Sequence, residues 1–219
     1  NQPLAAIRAY AENARRFMAL ARHEKADANL EQIVELTERM ADISAQLRQF
    51  SRKSSERQEA ISVQACIDYA LRLFQSRLRE GNISIIQDWP NETLWVQGDL
   101  VRLEQVLVNL IGNALQAMKG VPVPQLTLGA HTQHQQVIIS VTDNGPGIPE
   151  EHLGHIFAPF FTTKAPGSGL GLGLSISSRI MDDLGGKLQA TNQPEGGARF
   201  TITLPHSPIT HTQENSSYA

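Results

Sequence analysis

Apolar residues in segment 33–50 recur at intervals of three and four residues. The positions are Ile33, Leu36, Met40, Ile43, Leu47 and Phe50, so the gaps run 3-4-3-4-3. Such spacing places the apolar side chains on one stripe of an α-helix and is typical of a helix that packs along another helix. The other positions are mostly Glu, Gln, Arg, Lys and Ser, which suit water. The segment therefore predicts a long amphipathic helix and excludes a β-rich start to the chain.

A shorter helix is predicted ahead of this one. Its apolar face is marked by Leu4, Ile7, Ala11, Ala14 and Met18, and a charged break at residues 22–25 separates the two helices. Neither helix of such a hairpin covers the apolar stripe of the other completely. The hairpin can pack on the rest of the chain or pair with a second copy as a four-helix bundle. We expect the dimeric bundle, because a regular stripe suits helix against helix.

Charge and cysteine usage exclude several classes of protein. The chain has 19 basic and 22 acidic residues, and the resulting net charge of −3 gives no general attraction to nucleic acid or to anionic membranes. Cys66 is the single cysteine, so neither an internal disulfide nor a CxxC metal site is available. No apolar run reaches the roughly 18–20 residues of a membrane span. The chain opens at Asn1 without a leader pattern, and we interpret it as part of a longer protein.

The pattern changes to mixed α/β after a polar hinge at residues 52–58. Strands are predicted at 61–63, 83–87, 94–96, 125–131, 136–142, 187–191 and 198–204, and helices at 65–79, 99–118 and 172–184. Strands 83–87 and 94–96 flank a turn at Pro90 and Asn91. The predicted fold class is α+β, with a helical hairpin at 1–57, an α/β sandwich with a mixed sheet packed on helices at 58–205, and a flexible tail at 206–219.

Two asparagines mark the helix predicted at 99–118. Asn109 and Asn113 are four residues apart and therefore share one face. Asparagine is a poor residue for a helix interior. The pair is interpreted either as two solvated amides or as an oxygen-bearing site for a hard cation or a polar ligand.

A carboxylate followed by glycines ends the strand at 136–142. In Asp143-Asn144-Gly145-Pro146-Gly147 the acid can reach an amine of a planar ligand while the backbone passes close to its ring. An ordinary Asp-Asn-Gly turn explains the same residues.

Glycine alternates with other residues just before the helix at 172–184. In Gly167-Ser168-Gly169-Leu170-Gly171-Leu172-Gly173-Leu174-Ser175 the backbone N–H groups stay accessible and a helix begins at once, which favours an anion such as phosphate. No Gly-Lys-Ser/Thr follows and no strand leads in, so the run matches neither a P-loop nor a dinucleotide-binding fingerprint. The alternative interpretation is a flexible glycine loop.

The order of these motifs resembles the sensor histidine kinases. The asparagine helix, the Asp-Gly-x-Gly loop, Phe157-Ala158-Pro159-Phe160-Phe161-Thr162-Thr163-Lys164 and the glycine run are similar to the N, G1, F and G2 boxes of that family, which shares its ATP-binding fold with gyrase, Hsp90 and MutL. Asn1-Gln2-Pro3-Leu4 resembles the downstream half of the phosphoacceptor motif His-Glu-Leu-Asn-Gln-Pro-Leu. This variant is most like the sensors of C4-dicarboxylate transport.

The resemblance implies roles for individual residues. It makes Asn113 the direct Mg²⁺ ligand, with Asn109 supporting the region of the metal and the phosphates of ATP. Asp143 is implied to accept a hydrogen bond from the adenine amino group, and Gly145 and Gly147 to let the nucleotide approach.

The remaining implied roles concern the phosphates. Lys164 is implied to contact them from a lid over residues 160–169, and the glycine run to hold the triphosphate through backbone amides. The residues of that run are Gly169, Gly171, Leu172, Gly173 and Leu174.

The resemblance also implies partners and a location. The phosphoacceptor histidine is expected three residues before Asn1, since His23-Glu24 lacks the proline of the motif. The expected partners are a second copy of the chain and a response-regulator receiver domain, with no nucleic acid. The chain is expected to be the soluble, cytoplasmic portion of a bacterial inner-membrane sensor, with the membrane reached only through upstream segments.

Two other functions are compatible with the same motifs. One is an ATP-driven conformational machine like gyrase, Hsp90 or MutL, in which a glutamate one helical turn before the metal-binding asparagine activates water. That position is Asn109 here, and an amide cannot act as a general base. The other is a dimeric scaffold without catalysis, which would not need all of the motifs intact.

Overall fold

The computed structural model describes residues 2–34, 36–37, 59–163 and 171–207. They fall into two compact units, a helical N-terminal unit and an α+β unit that begins with the first strand. The predicted α+β fold class is confirmed. The predicted boundary at residue 57, the hinge at 52–58 and most of the tail lie outside the described residues.

The N-terminal unit contains two helices joined by a tight turn. Helix α1 covers Gln2–Ala19 and helix α2 covers residues 23–34. The break is shorter than the charged segment 22–25 that the sequence predicts, because Ala21 adopts a left-handed φ of 54° and the N–H of Arg22 already bonds to the carbonyl of Phe17 at 2.9 Å. His23 thus opens α2 and does not lie in the turn.

Small side chains supply the buried surface of this helical unit. Ala14 and Ala26 are buried, whereas Ile33 and Leu36 are half-buried. The other residues of the 3-4 stripe, Met40, Ile43, Leu47 and Phe50, lie outside the described residues. Four larger apolar side chains remain on the outside of the unit, namely Met18, Leu20, Leu30 and Val34.

The α+β unit has seven strands and five helices within its described residues. In chain order they are β1 (Glu59–Ser62), α3 (Val63–Leu73), α4 (Gln75–Glu80), β2 (Ser84–Asp88), β3 (Trp95–Gly98), α5 (Leu100–Ala117), β4 (Gln125–Gln133), β5 (Gln136–Asp143), α6 (Glu150–Leu153), α7 (Gly173–Asp183), β6 (Lys187–Asn192) and β7 (Ala198–Pro205). The sequence-based bounds agree with most of these. Two predictions were wrong: Val63 opens α3 and does not end a strand, and the helix predicted at 65–79 is interrupted at Phe74.

Five strands form one mixed sheet in the order β2-β4-β5-β7-β6. Strand β2 runs parallel to β4, and the other neighbours are antiparallel. The predicted turn at Pro90 and Asn91 does not join a hairpin, because β3 pairs with β1 in a separate two-stranded sheet. His206 bridges to Val96 of that small sheet and the N–H of Ser207 bonds to Trp95, so ordered structure passes the predicted start of the tail.

Helix α5 lies at the centre of the core. Asp99, where the sequence predicts the helix to begin, caps it by accepting the N–H of Arg102 at 3.2 Å. Its buried residues are Leu103, Val106, Leu107, Leu110, Ile111, Ala114 and Leu115, and it packs against α3, α7 and β5. An ion pair between Arg102 and Asp183 joins the start of α5 to the end of α7. These two helices therefore run antiparallel, which brings the middle of α5 to the start of α7.

Two further observations limit the chemistry of the unit. Burial, together with the nearby Glu104, raises the pKa of Cys66 to about 12, so this thiol stays protonated and is no nucleophile. Among the described residues, no helix has both the length and the hydropathy needed to cross a bilayer.

Candidate functional site

Asn109 links the middle of α5 to the first turns of α7. Its side-chain amide donates a hydrogen bond to the hydroxyl of Ser177 at 2.9 Å, and Ser177 is buried. The carbonyl oxygen of the same amide lies directly against Gly173, where any Cβ would overlap it. Asn109 is thus not a solvated amide, because its side chain lies between α5 and α7 and contacts both Ser177 and Gly173.

Asn113 lies one turn further along α5 and is half-buried. It shares a face of α5 with Asn109, whose side chain contacts α7. Side-chain amide oxygens are among the ligands that hard cations bind in proteins. Within the described part of the chain, no group of three or more His, Cys, Asp or Glu side chains could hold a metal.

The start of α7 presents backbone N–H groups beside these amides. The helix covers Gly173–Asp183, and its N-cap residue Leu172 has no side-chain group to bond the first turn. The amides of Gly173 and Leu174 are therefore not capped by Leu172, and they carry the positive end of the helix dipole. The structure brings Asn109 of the predicted cation site next to Gly173 of the predicted anion site, although the two residues are 64 positions apart in sequence.

Gly171 closes the loop that precedes α7. Its φ is +65°, and a Cβ there would overlap the backbone of Phe160 and Phe161. Phe161 and Gly171 are therefore in direct contact, although nine residues separate them in sequence. Lys164 and Gly169, which the sequence predicts as phosphate contacts, lie within that segment and outside the described residues.

Asp143 ends strand β5 on its buried face. Residues alternate inward along this strand as Val137, Ile139, Val141 and Asp143, so the strand period of two residues places the carboxylate where a fourth apolar side chain is expected. The N–H of Gly145 donates to Oδ1 at 2.9 Å and the N–H of Ala198 donates to the same oxygen at 3.4 Å.

Burial controls the ionisation of this carboxylate. Desolvation raises the pKa of Asp143, and the backbone N–H groups of Gly145 and Ala198, with its own, oppose the rise. A buried acid that is only partly compensated by hydrogen bonds favours a ligand that brings it another donor.

The loop after Asp143 touches both the helix and the sheet. A Cβ at Gly145 would stand 3.0 Å from the carbonyl oxygen of Ala117, the last residue of α5. Gly147 has a φ of +78°, which favours glycine. Asn144 points away from the loop and bonds the N–H of Gln125 and the carbonyl of Val123. Close packing at Gly145 and the positive φ of Gly147 therefore favour glycine at both positions for reasons within the protein itself.

Sequence reasoning missed three residues that hold this site together. They are Ser177, which bonds Asn109, Asn192, which bonds the backbone of Ile148, and Gly197, which packs on the backbone of Asp143. Gly197 had a signal in the pair Gly196-Gly197 between two strands, where both residues adopt positive φ. Ser177 and Asn192 had none, because their roles depend on neighbours that are far away in sequence.

Two histidines after the loop contact the ring of Phe161. His152 is half-buried, with its ring edge-on to that of Phe161 at 5.3 Å between centroids, while His155 lies at 6.4 Å from the same ring. These contacts hold Phe161 at the base of the segment that leads to Lys164.

Comparison with known proteins relates this arrangement to one family. Residues 98–208 match the sequence profile of the histidine kinase-, DNA gyrase B- and HSP90-like ATPases. The C4-dicarboxylate transport sensor protein DctB of Pseudomonas aeruginosa is 45% identical over 205 residues, which make up 93% of this chain and 34% of that protein. The chain spans about a third of the length of the curated relatives it matches.

Solved structures show the same likeness. The nucleotide-free catalytic domain of the histidine kinase ThkA has a TM-score of 0.62 at 35% identity, with 69% of this chain and 99% of that domain covered. ThkA in complex with the response regulator protein TrrA has a TM-score of 0.66 at 31% identity, with 81% of this chain and 51% of the kinase chain covered.

Proposed function

The chain belongs to the histidine kinase-, DNA gyrase B- and HSP90-like ATPase family, and from this membership we propose that it is the ATP-binding and dimerisation core of a sensor histidine kinase. The full protein would transfer the γ-phosphoryl group of ATP to a histidine and then to an aspartate of a response regulator. The observation that carries the proposal is the course of α5, which connects a buried carboxylate site at its end to an amide-rich anion site at its middle.

The carboxylate end fits an adenine ring. Asp143 offers an acceptor in a water-poor position, and the glycine at position 145 lets the backbone pack closely on that carboxylate and on the end of α5. Ala117 lies eight positions after Asn109 on α5, which corresponds to about 12 Å along the helix. An extended nucleoside triphosphate is long enough to bridge that distance.

The other end fits phosphates with a hard cation. We assign Asn113 as the Mg²⁺ ligand, Asn109 as its neighbour at the phosphates, and the amides of Gly171, Leu172, Gly173 and Leu174 as the phosphate-binding backbone. Lys164 and Gly169 belong to the same proposal through the sequence motifs. A bound Mg²⁺ supplies charge neutralisation at the phosphates. The residues of this chain orient the triphosphate so that its terminal phosphorus faces an incoming imidazole.

The environment of Asn109 supports phosphoryl transfer over ATP hydrolysis. Its amide nitrogen donates to Ser177, and its oxygen lies against Gly173. A side-chain amide cannot remove a proton from water, so Asn109 cannot act as the general base that hydrolysis needs. In the hydrolytic members of the superfamily, the resemblance described above implies a glutamate at this position that activates water.

The sensory context is a further part of the proposal. The 45% identity to a C4-dicarboxylate transport sensor over most of the chain supports sensing of C4-dicarboxylates by the full protein, anchored in the bacterial inner membrane through other segments. The likeness to ThkA, whose structure contains a response regulator, supports a receiver domain as partner.

Phosphate transfer tests this function. A chain lengthened upstream of Asn1 with His-Glu-Leu should take up acid-labile phosphate from γ-labelled Mg-ATP, and Asn113→Ala should abolish the labelling because the cation then loses its protein ligand. Asn91→Ala, which changes an exposed asparagine between β2 and β3 that belongs to none of the motifs, should label normally.

Other outcomes of this assay point elsewhere. The chain without the extension should remain unlabelled, and phosphate on His23 or another of the seven histidines would place the acceptor within it. Release of inorganic phosphate without labelling of the lengthened chain would favour a hydrolytic machine. ATP binding with neither reaction would favour a scaffold.

A second copy of the chain is the proposed partner of the N-terminal helices. Met18, Leu20, Leu30 and Val34 expose 53%, 65%, 49% and 56% of their surfaces, although Ala14 and Ala26 of the same helices are buried. Leaving four large apolar side chains in water is unfavourable, and a four-helix bundle would cover them.

Sedimentation of charged variants tests the dimer. Leu30→Glu combined with Val34→Glu, one turn apart on α2, should convert the dimer to a monomer that still binds ATP, since unpaired charges in a bundle interface cost several kcal/mol. Glu31→Gln, an exposed neighbour on the same helix, should leave the dimer intact. A wild-type chain that sediments as a monomer at high micromolar concentration would contradict the proposal.

A further inference from the structure

The corner between β6 and β7, residues 192–198, contacts the loop after Asp143 through one asparagine. Asn192 accepts the N–H of Ile148 through Oδ1 at 2.8 Å and donates through Nδ2 to the carbonyl of Ile148 at 2.6 Å. Both backbone groups of Ile148 are thus bonded by a single side chain. Such a two-point bond fixes the position and the orientation of the peptide at once.

The same corner holds Asp143 from the other side. Gly197 has no room for a Cβ beside the carbonyl of Asp143, and the N–H of Ala198 donates to the carboxylate at 3.4 Å. The corner is itself closed by hydrogen bonds from Gln193 to Gly197 at 2.9 Å and from Gly196 to Gln193 at 3.1 Å. The bonds of Asn192 and the contacts of Gly197 therefore share one closed backbone element.

The loop transmits the position of Ile148 to the carboxylate. Gly147 precedes Ile148, and a Cβ on it would stand 3.0 Å from Oδ1 of Asn192. Gly145, two residues earlier, donates its N–H to Oδ1 of Asp143 at 2.9 Å. A shift of Ile148 would therefore move the donor that orients the carboxylate.

We propose that Asn192 is a positioning residue that sets the selectivity of the site for a 6-aminopurine. It does so without touching the base, by holding the loop 145–148 at a fixed distance from Asp143. The inference rests on the proposed adenine site and adds to it the residue that fixes the position of the loop relative to the carboxylate.

Binding of two nucleotides that differ along one edge of the base tests this role. ADP carries an amino group at position 6 and an unprotonated N1, whereas inosine diphosphate carries an oxo group at position 6 and a hydrogen on N1. Asn192→Ala should weaken ADP by about tenfold, as expected for losing hydrogen bonds that hold a recognition loop, while inosine diphosphate changes by less than about twofold. The ratio of the two affinities should fall, as measured by titration calorimetry on the full chain.

A remote side chain with the same bonding provides the control. Gln64 accepts the N–H of Leu94 at 2.9 Å and donates to the carbonyl of Glu92 at 3.0 Å. Gln64→Ala removes an equivalent pair of bonds from a side chain to the backbone. It should therefore lower the stability as much as Asn192→Ala does, without changing the ratio of the affinities for ADP and inosine diphosphate. The isosteric Asn192→Asp keeps the side-chain shape and removes the donor to Ile148, and it should lower the ratio even if the alanine variant folds poorly.

The outcomes separate this inference from the proposed function. An unchanged ratio in folded Asn192→Ala and Asn192→Asp would overturn the positioning role while the adenine site stands. An equal drop with Gln64→Ala would reduce Asn192 to a stabilising contact and overturn it as well. Failure of the wild-type chain to bind ADP would instead count against the adenine site itself.

Discussion

Replacing Asp143 by asparagine should weaken ATP binding by about tenfold or more. In the wild type the buried carboxylate can accept a hydrogen bond from the adenine amino group. The amide of the asparagine would either turn its own NH2 group towards that amino group or leave the amino group without an acceptor. An unpaired polar group in a water-poor site costs about 1–3 kcal/mol. Titration calorimetry measures the change, and Asp88→Asn is the matched control, since Asp88 also ends a strand but is exposed. Equal ATP affinity for wild type and Asp143→Asn would refute the adenine assignment.

The same variant should be at least as stable as the wild type at pH 7. Burial raises the pKa of Asp143, so the folded state binds the proton more tightly than the unfolded chain does. The favourable contribution of the protonated acid is complete below the ordinary aspartate pKa of about 4 and is lost as the pH rises through the folded value. The stability advantage of Asp143→Asn should therefore shrink as denaturant unfolding is repeated at falling pH. A variant less stable than wild type at pH 7 would show that the carboxylate stabilises the fold.

Gly197→Ala should lower the free energy of unfolding by about 3 kcal/mol or more. Two costs add at this position: a left-handed φ of +91° and a direct overlap of the new Cβ with the carbonyl of Asp143. Strained backbone and overpacking each cost about 1–3 kcal/mol. ATP binding should fall with stability, because relief of the overlap must move the strand end that carries Asp143.

Two other glycines separate these costs. Gly185 has a φ of +70° with open space around it, so Gly185→Ala isolates the backbone cost, and Gly154 has neither strain nor a neighbour within 4 Å. Denaturant unfolding should rank the three variants with Gly197→Ala least stable and Gly154→Ala close to the wild type. If Gly197→Ala and Gly185→Ala were equally destabilised, the packing of Gly197 on Asp143 would be unimportant.

The alternation of residues along β5 predicted a strand over 136–142, and the observed strand extends by one residue to Asp143. Val137, Ile139 and Val141 are apolar at every second position, and Asp143 continues that period. In the same way, Asp99 predicted the start of α5 because a cap depends only on residues three positions away. These features follow from local geometry, so the sequence pattern was sufficient to place them.

The partners of the site residues could not be predicted in this way. The sequence by itself determined that the chain has amide, carboxylate and glycine motifs on a helix end, a strand end and a loop. Only the tertiary structure decided that Asn109 lies against Gly173 and Ser177, and that Asn192 and Gly197 hold the loop and the carboxylate. The reason is physical: helix and strand periods act over a few residues, whereas packing between α5 and α7, and between the β6–β7 corner and β5, depends on the shape of surfaces that meet only after the chain has folded.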